Sequence, residues 1–229
     1  MTIRKTSAPR VTTNKNIDQV LSKVQFSVKG YVLPIVTLHA KSGADPFKVL
    51  IATMLSLRTR DQVTAEVCDR LFAKASTPQA MLKLSTKELE QLLFPVGFYR
   101  TKAVAIQETC RRILRDHAGT VPEEIDQLVM FPGVGRKTAN LVRILGHQKP
   151  GICVDTHVHR ISNIWGYVRT KTPDETEMVL RKKLPEKHWM KYNDLLVSFG
   201  QHICVPISPK CSVCPLAGTC PRIGVKRSR

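Results

Sequence analysis

Phe131-Pro132-Gly133-Val134-Gly135-Arg136-Lys137-Thr138-Ala139-Asn140 is the stretch from which the rest of the chain can be read. A helical segment ends near Phe131, two glycines turn the chain, and helix-forming residues resume at Arg136, so the stretch reads as a helix-hairpin-helix. Glycine permits positive φ and lets the backbone come close to a ligand, and the N–H groups that open a helix have no partner inside it. Gly133, Val134 and Gly135 can therefore hold a phosphate through main-chain donors, which fixes position without reading base sequence. A tight αα corner is the plainer reading of the same glycines. Lys137, in the first turn after the hairpin, adds chemistry: the positive helix end and any burial both disfavour its ammonium, and a neutral amine can attack carbon and form a Schiff base. Taken alone, a lysine here could equally be a solvated or phosphate-contacting group.

Outward from the hairpin, helical signals recur in both directions. Ile17, Val20, Leu21, Val24 and Val28 fall at three- and four-residue spacing, which makes one face of an amphipathic helix. Asp45-Pro46 and Thr77-Pro78 read as an N-cap followed by proline at the first helical position. Ser85 with Glu88 is a capping-box pattern, and Gly97 closes the apolar stretch after it. A longer helix is expected from about Tyr99 to His117, stopping at Gly119, with Pro122 and Glu123 opening the next. Alternating β-branched runs are almost absent, so the fold is expected to be all-α, with ten or so short helices. The first 16 residues and the final Gly-Val-Lys-Arg-Ser-Arg lack apolar periodicity and read as mobile basic segments.

The chain has 229 residues, enough for one substantial core or two modest ones. Its 36 Lys and Arg against 18 Asp and Glu leave a formal charge of +18, far more than solubility needs, and a polyanion such as nucleic acid is the natural partner. No run of about 18 apolar residues and no apolar signal core occurs, so a soluble intracellular protein is expected, in the cytoplasm or nucleoid if the source is prokaryotic, with no membrane partner and acting as a monomer.

Two further clusters carry chemistry. Asp155 follows the apolar Ile152-Cys153-Val154 and precedes Thr156-His157-Val158-His159-Arg160, at the start of a helix. It can be an N-cap, and the same ionised carboxylate can take a proton or stabilise an oxocarbenium-like sugar. His157 and His159 read as structural or phosphate-contacting. Of seven cysteines, Cys204, Cys211, Cys214 and Cys220 crowd one segment and supply four soft ligands for zinc or an iron–sulfur cluster. A zinc ribbon usually pairs two Cys-x2-Cys knuckles; the single one here leans toward a cluster. Lys210, Arg222 and Lys226 bracket the loop.

Together these elements resemble the endonuclease III family of DNA glycosylases, over residues 17 to 221. FPGVGRKTAN looks like the family's helix-hairpin-helix with its lyase lysine, VDTHVHR like its catalytic-aspartate segment, and the cysteine pattern like its cluster ligation. The resemblance implies a basic flexible arm at 1–16, a six-helix module at 39–149 and a [4Fe-4S] cluster module formed by 17–38 with 150–229, with a DNA-binding cleft between the modules. It implies double-stranded DNA containing oxidised or ring-saturated pyrimidines or abasic sites as the partner. Lys137 would be the nucleophile, Asp155 its acidic partner, and the strand would be cut 3′ to the abasic site by β-elimination. Arg58, in Leu55-Ser56-Leu57-Arg58-Thr59-Arg60-Asp61, stands where the family commonly has a glutamine that fills the gap left by the extruded base, so its preferred opposite base is expected to differ. Phe98 stands at the family's apolar wedge, or in ordinary core packing.

Two rival functions remain at this point. A monofunctional mismatch glycosylase of the same superfamily usually lacks the lysine. A non-catalytic iron–sulfur DNA damage-binding protein would leave Lys137 and Asp155 together unexplained.

Overall fold

The structure is a computed structural model and describes residues 11–31 and 45–229, which contain helices and turns and no strand. The all-α expectation therefore holds for the described chain. In chain order the α-helices are α1 (Ile17–Ser27), α2 (Pro46–Ser56), α3 (Asp61–Lys74), α4 (Pro78–Leu82), α5 (Thr86–Leu93), α6 (Tyr99–Asp116), α7 (Ile125–Leu128), α8 (Arg136–Leu141), α9 (Thr156–Ile164), α10 (Pro173–Lys183) and α11 (Trp189–His202). A wider π turn, Val142–Gly146, continues α8, and a 3-10 turn, Glu186–His188, precedes α11. None of these helices is long and apolar enough to cross a membrane.

The chain divides into two compact units: Leu33–Gly151, the hairpin unit, and Met1–Val32 with Ile152–Arg229, the cysteine unit. Each has its own apolar core. In the hairpin unit α2 is buried on nearly every side, from Phe47 to Leu55 with only Lys48 exposed, so it behaves as a core helix rather than an amphipathic one. Burying each of its large apolar side chains contributes about 1.5–3 kcal/mol. The π turn packs closest to it: a Cβ on Gly146 would lie 2.9 Å from Pro46 Cα, so glycine lets the two backbones meet. In the cysteine unit α1 and α9 pack on α11 around Trp165, Tyr167, Tyr192 and Phe199.

Local chemistry sets the helix ends. Asp45 Oδ1 accepts from Phe47 N at 2.9 Å, and Thr77 Oγ1 accepts from Ala80 N at 3.1 Å, both with proline in the first turn. At α5, Ser85 Oγ accepts from Glu88 N while Glu88 Oε2 accepts from Ser85 N at 2.8 Å, the full reciprocal box. This helix stops at Leu93, ahead of Pro95 and well before Gly97. The end of α6 is as read: Gly119, at φ +82°, donates to Ile113 O.

Three expectations differ from the structure. The helix after Gly119 opens at Ile125, not at Pro122–Glu123, because Arg143 Nη1 and His147 Nε2 bond the carbonyls of Glu123 and Pro122 and leave that segment outside a helix. Residues 1–10 of the expected arm lie outside the described residues, but 11–16 are docked: Thr12 N donates to Trp165 O, Tyr167 Oη to Asn14 Oδ1, and Asn14 Nδ2 to Lys183 O. The tail is tied as well, since Ile223 N donates to Ile164 O while Arg229 bonds Pro209 O through its N–H and Ser212 N through its carbonyl. Periodicity sees neither segment because main-chain bonds, not an apolar face, hold them.

The capping box yields a direct prediction. Ser85→Ala removes the side-chain half of the box and should cost about 1 kcal/mol, read as a fall of roughly 2–4 °C in the thermal midpoint; an unchanged midpoint would show that the box adds nothing.

Candidate nucleic-acid interface and cysteine site

The hairpin turn is built by Gly133 at φ +77°, with Phe131 N bonded to Leu128 O and Val134 N to Phe131 O. Gly135 is the N-cap of α8 in extended backbone, φ −93°, so positive φ is needed at the first glycine only. A Cβ on either glycine would meet no atom of the described residues within 4 Å, so none of them forbids a side chain at Gly135. Its missing side chain leaves the backbone open to an approaching group from outside. Val134 plays another part: its N–H closes the turn and its side chain is buried, which makes it the anchor of the hairpin rather than a donor. Lys137 lies exposed on the first turn of α8, while Thr138, Ala139 and Asn140 behind it are buried.

Arg58 and Phe98, distant in sequence, meet in the same unit. Arg58 follows the end of α2 at φ 55°, and Phe98 is the N-cap of α6 at φ 58°. Left-handed backbone at non-glycine residues costs on the order of 1–3 kcal/mol each and tends to cluster at functional sites. Phe98 is 62% exposed, which settles its ring as a surface group and not core packing. The Arg58 guanidinium lies over that ring, 5.5 Å from its centroid, a cation–π arrangement.

Beneath the pair sits Lys102, which the sequence reading passed over. Its Nζ donates to Leu55 O at 2.8 Å, Leu57 O at 2.6 Å and Thr59 Oγ1 at 3.4 Å. Burial pushes its ammonium down to about 8. The available signal was its place on the apolar stripe of α6, in line with Tyr99, Ala103 and Ile106.

In the cysteine unit Asp155 is the N-cap of α9, and Oδ1 alone accepts from both His157 N and Val158 N at 2.9 Å. His157, read as a DNA contact, is half-buried with its ring lying on α11 at Gly200, where a Cβ would come within 3.0 Å of the His157 Cβ and closer still to its ring. One turn on, Arg160 Nη2 donates to Cys204 O at 2.5 Å and Nη1 reaches Cys204 Sγ at 3.6 Å. His159 Nδ1 bonds Thr176 Oγ1 at 2.7 Å and is structural.

Cys204, Cys211, Cys214 and Cys220 line one cavity with Ile164, Phe199, Pro209 and Ala217, about 360 Å³ of atom-free space partly open to solvent. Among the described residues no three His, Cys, Asp or Glu side chains converge closely enough for a single ion. Burial pushes the thiols of Cys204 and Cys220 up and that of Cys214 to about 11. Donors oppose this: Leu216 N to Cys214 Sγ at 3.4 Å, Arg160 to Cys204, and the Arg222 backbone to Cys220. A buried thiolate surrounded by N–H groups suits a soft, multinuclear metal group, and the donor set fits one.

The chain is similar to known DNA-repair proteins. Residues 51–186 match the family model described as HhH-GPD superfamily base excision DNA repair protein. The chain is 47% identical to endonuclease III of Thermotoga maritima over 176 residues, 77% of this chain and 83% of that protein. With endonuclease III of Bacillus subtilis the identity is 39% over 187 residues, 81% and 85% of the two chains. The fold superposes with a TM-score of 0.81 and 34% identity on a trapped endonuclease III–DNA covalent intermediate, covering 92% of this chain and 97% of that one.

The His157–Gly200 contact sets a test of the packing between α9 and α11. Gly200→Ala must displace the imidazole together with its Cβ and should destabilise by about 1–3 kcal/mol, lowering the thermal midpoint; a midpoint equal to that of the parent would mean that the ring moves aside freely.

Proposed function

The chain belongs to the HhH-GPD superfamily of base excision DNA repair proteins, in its endonuclease III branch, and from that premise we propose that it excises oxidised or ring-saturated pyrimidines from duplex DNA and cuts the strand through a Lys137 Schiff base. It is a bifunctional DNA glycosylase and abasic-site lyase. The observation that carries the assignment to Lys137 is its exposed place at the head of α8, directly after a hairpin in which a Cβ on either glycine would meet no atom of the described residues within 4 Å.

The target nucleotide has to leave the base stack before its sugar can be reached. The open backbone at Gly133 and Gly135 holds the phosphates, with the positive end of α8 behind it. The lone pair of the neutral Lys137 amine forms a bond to C1′; the glycosidic C–N bond breaks, and the base departs with its electron pair and gains a proton. The attacking nitrogen gives up one proton, its remaining lone pair forms the C1′=N bond as the C1′–O4′ bond breaks, and O4′ takes up a proton, so that the ring opens to an iminium. Loss of a C2′ proton then expels the 3′ phosphate by β-elimination, and water releases the lysine. Asp155 keeps one oxygen in the cap of α9, which holds the carboxylate in place; its part is to stabilise positive charge at the sugar or to accept a proton.

The four cysteines would hold a [4Fe-4S] cluster. When bound, it supplies metal–thiolate bonds that tie the 204–220 loop and its cations into one rigid piece, and the base and sugar chemistry is left to Lys137 and Asp155.

Each of these three roles has its own test. Lys137→Gln should lower strand cleavage by about 10³-fold or more while keeping affinity for an abasic duplex within a few-fold; Asp155→Asn, which retains a good N-cap, should leave the thermal midpoint near that of the parent and slow excision by roughly 10–100-fold. Unchanged rates in single-turnover cleavage would remove either residue from the chemistry. Cys211→Ser should abolish the brown absorbance of purified protein, and colourless wild type with one equivalent of zinc would replace the cluster by a single ion.

A further inference from the structure

Arg58 and Phe98 belong to two loops that are joined from below. Lys102, on α6, spends all three N–H donors on the segment that ends α2, bonding Leu55 O, Leu57 O and Thr59 Oγ1. Thr59 Oγ1 in turn accepts from Gly97 N at 3.2 Å, so one ammonium and one hydroxyl link the loop carrying Arg58 to the loop carrying Phe98. Gly97 completes the junction: a Cβ there would lie 2.6 Å from Arg58 O, so only glycine allows this approach.

A helix end needs no buried cation to be capped, since a glycine or asparagine after α2 would adopt the left-handed turn at little cost. This chain instead places an arginine in that turn, with Leu57 and Arg58 facing solvent, and holds the carbonyls before it with a lysine drawn partly out of water. The outward product of the network is the Arg58 guanidinium seated over the exposed Phe98 ring. Neither side chain would have a defined direction if the two left-handed turns were free to relax.

We propose that Lys102 is the positioning residue for Arg58 and Phe98, the pair that the family resemblance sets at the gap filler and the apolar wedge, and that by holding the Arg58 guanidinium on the ring it sets the preference for the opposite base. The proposal rests on the DNA-repair reading above. The apolar ring takes the space between bases, and the guanidinium donates to acceptors on the orphaned base, a task for which direction matters as much as charge. Lys102 touches neither base nor sugar and acts only through the backbone at 55–59.

The test measures single-turnover excision of a ring-saturated thymine, and in parallel binding to duplexes with an uncleavable abasic analogue, with each of the four bases opposite. Wild type, Arg58→Ala, Lys102→Met, Lys102→Arg, Gly97→Ala and the double variant Lys102→Met/Arg58→Ala are compared. Arg58→Ala should flatten the opposite-base preference. Lys102→Met should raise the duplex concentration for half-maximal rate about tenfold, lower the maximal rate less than threefold, and flatten the preference in the same way. Lys102→Arg should restore most of the loss, and the double variant should be no flatter than Arg58→Ala alone. Gly97→Ala, pressing on the Arg58 carbonyl from the other side, should resemble Lys102→Met and carries the test if that variant fails to fold. Wild-type preference retained in Lys102→Met or Gly97→Ala, or additive losses in the double variant, would overturn the proposal. A wild type that discriminates opposite bases in binding but cleaves nothing would instead count against the lyase reading and leave the proposal standing.

Discussion

The hairpin unit is organised by the burial of α2. A helix that is apolar around almost its whole circumference has no face to offer water, so every neighbour must cover it, and the closest neighbour is the continuation of α8 at Gly146. That contact aligns α8 end-on to the hairpin turn, with Thr138, Ala139 and Asn140 facing inward and Lys137 outward. The same helix determines the other functional edge, since its C-terminal carbonyls are what Lys102 grips beneath Arg58. Hydrophobic burial thus fixes backbone that is then presented to solvent as polar and charged groups.

The cysteine unit reaches the same end by different means. Its chemistry is held by single-residue devices: the Asp155 cap on α9, Gly200 admitting the His157 ring, and Arg160 reaching the backbone and sulfur of Cys204. The loop of thiols has little apolar mass of its own beyond Leu216, and its two flanks are tied by main-chain bonds from Ile223 and Arg229. Its buried thiols gather N–H donors from Leu216, Arg160 and Arg222.

Much of this was legible in the residues. Caps at Asp45, Thr77 and Ser85 are local chemistry, complete within three residues, and the structure shows each bond. The apolar spacing of α1 and the stop at Gly119 are likewise local. What periodicity could not show depends on partners far along the chain. The docking of residues 11–16 uses carbonyls at Trp165 and Lys183, the late start of α7 follows from Arg143 and His147, and the seating of Lys102 needs the end of α2. The glycines of the hairpin were read as a pair, yet only Gly133 requires its conformational freedom; Gly135 is extended, and its openness concerns what comes from outside the chain. Lys137, read from its place after the hairpin, lies exposed at the head of α8.

The central claim is that one lysine carries the chemistry. Borohydride trapping of the wild-type protein on a duplex with one abasic site, followed by proteolysis and mass mapping of the adduct, tests it most directly. The account predicts a single sugar adduct on the peptide containing Lys137. An adduct on a different residue, or none from protein that binds the duplex, would contradict it and return Lys137 to the phosphate-contacting part its place beside the hairpin also allows.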